Sequence, residues 1–120
     1  MDSDTTIKEL KDKVQKFCEE RDWDQFHNPK EISIGIIAEA VELTEHFRWC
    51  SEKECLDMFK DPKKKEEISD ELSDTFYWIL RFAQKYDIDL SDGFNSKMKK
   101  NAIKYPISKA KGSKKKYNEL

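Results

Sequence analysis

Glu39-Ala-Val-Glu42 and, across a gap of 28 residues, Glu71-Leu-Ser-Asp74 decide how this chain is read. Each stretch places two carboxylates three residues apart, and residues three apart on a helix share a face. If the two helices pack side by side, four carboxylates converge on one point. Like charges gathered away from water repel by up to ~4 kcal/mol per close pair at an intermediate dielectric. A hard divalent cation removes that penalty, and an all-oxygen donor set suits Mg²⁺. The plainer alternative leaves the acids on solvated helix faces, where like-charge pairs cost only ~0.2–0.5 kcal/mol.

Both pairs fall inside segments that read as helices. Asn28 as N-cap and Pro29 at the first helical position start one that should run to about Trp49. Ile32, Ile36, Ala40, Leu43 and Phe47 form its apolar stripe, with Ile37, Val41 and Thr44 beside it. A stripe this broad points to contact on more than one side, another subunit included. Glu39, Glu42 and His46 share a face, but Glu42 and His46 are four apart. Carboxylate-bridged di-iron bundles use Glu-x-x-His on helices. The only acid-x-x-His here, Asp24 to His27, lies in a loop and counts against an iron oxidase.

The second pair lies in a helix expected from Pro62 or Lys63 to about Tyr86, with Ile68, Leu72, Thr75, Ile79 and Ala83 as its stripe. Glu67, Asp70, Glu71 and Asp74 follow one another on one acidic face. The helix dipole rewards acids in the first turn by ~0.3–1 kcal/mol, which accounts for Glu66 and Glu67 and poorly for Asp74. Between the two helices, Arg48 to Pro62 reads as a connector with one short helix around Leu56, Met58 and Phe59.

Two further helices flank this pair. The first starts after Asp4 or Thr5 and buries Ile7, Leu10, Val14, Phe17 and Cys18. It leads into Arg21-Asp22-Trp23-Asp24-Gln25-Phe26-His27-Asn28-Pro29, a loop rich in groups that can contact a base or sugar. Aromatic faces stack on nucleobases for ~1–3 kcal/mol each; alternatively, Trp23 and Phe26 fold back onto the core. The last helix begins with Asp89 or Ser91 as N-cap and runs to about Lys104. Leu90, Phe94, Met98 and Ile103 are its apolar positions, and Lys97, Lys100, Asn101 and Lys104 occupy its other side. Cations beside a carboxylate site would suit a triphosphate. Pro106 ends this helix, and a basic tail carries Lys109, Lys111, Lys114, Lys115 and Lys116.

Composition agrees with an all-α domain. At 120 residues the chain should be one domain, long enough to bury roughly two-thirds of its unfolded surface. Three glycines, three prolines and two valines favour helices over sheet, although ten isoleucines weaken that argument. The net charge of −2 argues against a general polyanion binder, so nucleic acid is not the expected partner. Three cysteines without metal spacing read as reduced thiols in a cytoplasmic protein. No apolar run approaches a membrane span, and the acidic start is not that of a secretory signal.

In these residues the chain resembles the MazG-like all-α nucleoside triphosphate pyrophosphohydrolases. Glu39-x-x-Glu42, the gap, and Glu71-x-x-Asp74 match that family's signature, with the gap at the long end of its range. The match is closer to one branch, the dCTP pyrophosphatases. Arg21 to His27 resembles that branch's loop, as does Phe47-Arg48-Trp49 after the first pair. Ser96-Lys97-Met98, Asn101, Tyr105-Pro106 and Lys116-Tyr117 also fall in step, so the likeness covers roughly residues 7–118.

The resemblance implies a four-helix MazG-like bundle, dimeric or tetrameric, with residues 1–105 as the catalytic domain and 106–120 as a basic tail. It implies that Glu39, Glu42, Glu71 and Asp74 hold Mg²⁺ while water attacks the α-phosphorus of a nucleoside triphosphate, giving monophosphate and pyrophosphate. The metal would neutralise developing phosphate charge and help generate the nucleophile. Glu39 or Glu42 would double as the catalytic base. Trp23, Asp24, Gln25, Phe26, His27, Trp49 and Trp78 would shape the base and sugar pocket, with Lys97 and Asn101 near phosphate or base. Two positions depart from the branch: Val14 stands where it has a histidine, and Trp78, with Tyr77 beside it, where it has a tyrosine. Both touch base recognition and leave the metal side intact.

The expected activity is therefore Mg²⁺-dependent pyrophosphohydrolysis of dCTP or related pyrimidine nucleotides, clearing surplus or modified nucleotides. The alternative is a non-catalytic helical interaction module, its acidic face binding a basic partner and its lysine tail binding RNA or protein.

Overall fold

The computed structural model describes all 120 residues. It is entirely helical: α1 (Ile7–Glu20), α2 (Pro29–Glu45), α3 (Glu52–Asp57), α4 (Pro62–Lys85), α5 (Leu90–Lys104) and α6 (Ile107–Ala110), with 3₁₀ turns at Asp24–Phe26, Met58–Lys60 and Tyr117–Glu119. The four expected long helices are α1, α2, α4 and α5. No helix is long and apolar enough to cross a membrane. The chain forms two compact units, residues 1–87 and 88–120.

In the first unit, α4 packs against both α1 and α2. Each helix starts on a side chain that satisfies an otherwise orphaned backbone N–H. The Thr6 hydroxyl accepts from the Glu9 amide, the Asn28 carbonyl from the Glu31 amide and the Asp61 carboxylate from the Lys63 amide. Pro29 and Pro62 occupy first positions, where no amide proton is needed. Helix α4 has 24 residues and spans about 36 Å. It carries the second carboxylate pair in its middle. Val14, Cys18, Ile32, Ile68, Leu80 and Ala83 form the buried apolar core.

Helix α2 stops four residues short of the expected Trp49. The His46 amide donates to the Leu43 carbonyl, tightening the last turn, and Trp49 takes a φ of 65°, which no α-helix accommodates. The break lets Ser51 start α3 with a capping box, its hydroxyl accepting from the Glu54 amide while Glu54 accepts from the Ser51 amide. The expected stripes are also only partly buried. Ile37 on α2 and Leu72 on α4 are 63% and 54% exposed, and Phe76 lies one turn beyond Leu72.

In the second unit, Asp89 caps α5 by accepting from the Asp92 amide. The tail folds onto the end of this helix. The Tyr117 ring meets Tyr105 edge-on at 6.2 Å between centroids, and the Lys104 ammonium lies 4.8 Å from the Tyr117 centroid.

Candidate metal and nucleotide site

Helices α2 and α4 bring Glu39, Glu42 and Glu71 together, with one oxygen from each lying within 4.8 Å of the others. At that spacing, three ionised carboxylates repel by about 3 kcal/mol per pair at an effective dielectric near 20. Glu39 bears most of the strain. Its Oε2 is buried without a hydrogen-bond partner. Burial first, then Glu42, Asp74 and Glu71, push its carboxyl above the usual glutamate range. The neighbouring carboxylates can share a hydrogen bond with it only by retaining a proton. An orphaned buried oxygen among like charges is the donor set that a hard cation completes.

Asp74 is not part of this trio. It lines, with Glu39, an open cleft of about 510 Å³ whose other walls are Lys13, Val14, Phe17, Trp23, Tyr77 and Trp78. Glu42 and Glu71 line a smaller recess of about 320 Å³ with Glu45, His46 and Lys64. His46 Nε2 lies 3.5 Å from Glu71 Oε1. The carboxylates thus stand between an aromatic cleft and a polar recess.

The cleft is built from ring contacts. Phe17 meets Trp23 edge-on at 5.6 Å and Tyr77 at 6.0 Å, and Tyr77 meets Trp78 at 5.1 Å. The Tyr77 hydroxyl and the buried Cys18 thiol are 3.1 Å apart, and burial, with this contact, pushes the phenol well above its ordinary range. Tyr77 therefore stays protonated and serves as a wall. Trp78 seats its indole on Gly35 of α2, where a Cβ would approach the ring to 2.7 Å.

The remaining expected residues separate into groups. His27 is buried and turned toward α4, its Nδ1 accepting from Arg81 Nε at 3.0 Å. Asp24 pairs with Arg81 Nη2, and Gln25 bonds back to the Asp22 carbonyl and carboxylate. Phe26 is exposed. Trp49 is 89% exposed, with the Arg48 guanidinium 5.0 Å from its ring, and it does not line the cleft. Lys97 and Asn101 lie one turn apart on α5, in the second unit.

Sequence reasoning missed Lys13, Gly35 and Arg81. Lys13 had a signal, since it precedes Val14 and stands four residues before Phe17 on one side of α1. Arg81 had none: it sits between apolar residues of α4 and is 1% exposed.

A family model described as the MazG-like family matches residues 33–120, and the chain belongs to that family. Among curated proteins, it is 33% identical over 115 residues to dCTP pyrophosphatase 1 of Mus musculus, covering 96% of this chain and 68% of that protein. The human dCTP pyrophosphatase 1 is 32% identical over the same shares. Among solved structures, a pyrophosphatase from Archaeoglobus fulgidus superposes with a TM-score of 0.77 at 31% identity, covering 82% of this chain and 91% of that one.

Proposed function

We propose that this nucleoside triphosphate pyrophosphatase requires Mg²⁺ and acts on dCTP or a related pyrimidine deoxynucleotide, releasing the monophosphate and pyrophosphate. The observation that carries the reading is the orphaned Glu39 oxygen between Glu42 and Glu71, beside an aromatic cleft of base-and-sugar size. The dCTP preference is supported by the likeness to the mouse and human dCTP pyrophosphatase 1.

In this reading Glu39, Glu42 and Glu71 hold the cation, with Asp74 completing the set from the cleft side. The cation supplies charge neutralisation at the phosphates and acidifies water. Glu39 or Glu42 doubles as the base for the attacking water. Trp23 and Trp78 pack the base, Phe17 and Tyr77 brace them, and Lys13 offers a cation at the cleft wall. Residues 1–105 form the catalytic domain, and 106–120 a basic tail. Exposed Ile37 and Val41 on α2 and Leu72 and Phe76 on α4 support a homo-oligomer, dimer or tetramer. The three free cysteines fit a cytoplasmic protein.

The test is product analysis. Purified protein is incubated with Mg²⁺ and each canonical triphosphate, and the products are separated. Pyrophosphate with dCMP is the expected pair; orthophosphate release contradicts the reaction, and a purine as best substrate contradicts the base assignment.

A further inference from the structure

Arg81 is a charged side chain placed where helices normally carry leucine. An arginine that leaves water needs its donors satisfied, because an unpaired buried charge costs several kcal/mol. Here all three faces of the guanidinium are used. Nε donates to His27 Nδ1 at 3.0 Å, Nη1 donates to Gln84 Oε1 at 2.7 Å, and Nη2 donates to the Asp24 carboxylate. Lys85, one position past Gln84, donates to the backbone carbonyls of Asp24 and His27. Two cations of α4 therefore hold both ends of the short turn Asp24–Phe26.

That turn is the one that delivers Trp23 to the cleft. The His27 ring stands edge-on to Trp23 at 6.2 Å and to Trp78 at 5.2 Å, so the imidazole backs both indoles. Because its Nδ1 accepts, its ring proton is on Nε2. Arg81 itself is absent from the residues lining the cleft. A leucine at 81 would fill the space and hold nothing.

We propose that Arg81 is a positioning residue: through Asp24 and His27 it sets the placement of Trp23 and Trp78, and so the affinity of the cleft for the nucleoside. This rests on the reading of the cleft as the nucleoside site. None of the clamp's hydrogen bonds reaches the four carboxylates, so its loss acts on nucleotide affinity while turnover at saturation persists. It also assigns Asp24 and His27, expected from sequence to touch substrate, to holding the turn.

The experiment measures pyrophosphate release with whichever canonical triphosphate is turned over best, for wild type, Arg81→Lys, Arg81→Met, Asp24→Asn and the Arg81→Lys/Asp24→Asn double variant. Lysine keeps the charge but cannot span three partners. Each single variant should raise KM by about tenfold with kcat within about twofold, since displacing a positioned wall weakens binding at every step. The double variant should be no worse than the poorer single, as residues acting through one contact are non-additive. Arg81→Lys and Asp24→Asn decide the matter if Arg81→Met does not fold. Folded Arg81 variants with wild-type KM overturn the proposal, as does full additivity, which would mean Asp24 meets substrate independently. Trp23→Ala and Trp78→Ala run alongside. Unchanged KM in both removes the cleft reading and the proposal with it, while raised KM in these with wild-type KM in the Arg81 variants removes the positioning role alone.

Discussion

The indole of Trp78 rests directly on Gly35, with the place of an added Cβ 2.7 Å from two of its ring carbons. A glycine in the middle of α2 costs helix stability, and here it makes room for a cleft wall. Gly35→Ala sets two effects against each other. Alanine returns up to about 1 kcal/mol of helix propensity, and overpacking against a large ring costs about 1–3 kcal/mol. The second wins: the variant should be less stable by about 1 kcal/mol in denaturant melts, and its KM should rise as the indole moves. A stabilised variant with unchanged KM would show that Trp78 yields freely.

Glu39 should trade stability for function. Its folded-state pKa is raised, so the folded protein binds a proton there more readily than the unfolded chain does. Stability is lost as pH climbs from the unfolded value of 4.5 through the folded one. At neutral pH, without divalent ions, Glu39→Gln should therefore raise Tm by a few degrees, roughly 2–5 °C. The same variant should lose activity and lose most of the Tm increase that millimolar Mg²⁺ gives wild type. Thermal melts with and without Mg²⁺ check both halves.

Acid should loosen the turn that carries Trp23. Burial, then Arg81 and Lys85, hold the His27 imidazole below 6.5 despite the opposing charge of Asp24. The stabilisation is complete above 6.5 and lost as pH falls through the lower folded value. The Arg81 hydrogen bond holds the Asp24 carboxyl below its usual 3.8, so its share is lost only under stronger acid. Tm should decline from pH 6.5 downward. His27→Gln, which keeps an acceptor but cannot titrate, should flatten that slope just below pH 6.5.

The apolar faces of α2 and α4 should be covered in solution. Ile37→Lys places a charge in the middle of the exposed stripe. Light scattering coupled to gel filtration should find a dimer or tetramer for wild type and a smaller species for the variant. A wild-type monomer at micromolar concentration removes the oligomer proposal.

Much of the fold was legible because its determinants are local. Asn28-Pro29 and Asp61-Pro62 announce helix starts within a single turn, and both begin α2 and α4 in the structure. The i, i+3 carboxylates had to share faces once those helices formed. The end of α2 was not legible, since it depends on a left-handed Trp49 and on where Ser51 must start the next helix. The exposure of Leu72 was equally hidden, because periodicity marks an apolar face without saying what covers it.

Sequence by itself determined the helices, the two acidic pairs and the aromatic loop, for helical spacing and capping are properties of neighbours along the chain. Only the tertiary structure decided that Glu39 is left with an orphaned oxygen, that Trp78 sits on Gly35, and that Arg81 reaches back 54 residues to His27. Those relationships arise where α4 meets α2 and the turn before it. The depth of that packing is set by side-chain volume and buried charge, summed over segments far apart in sequence.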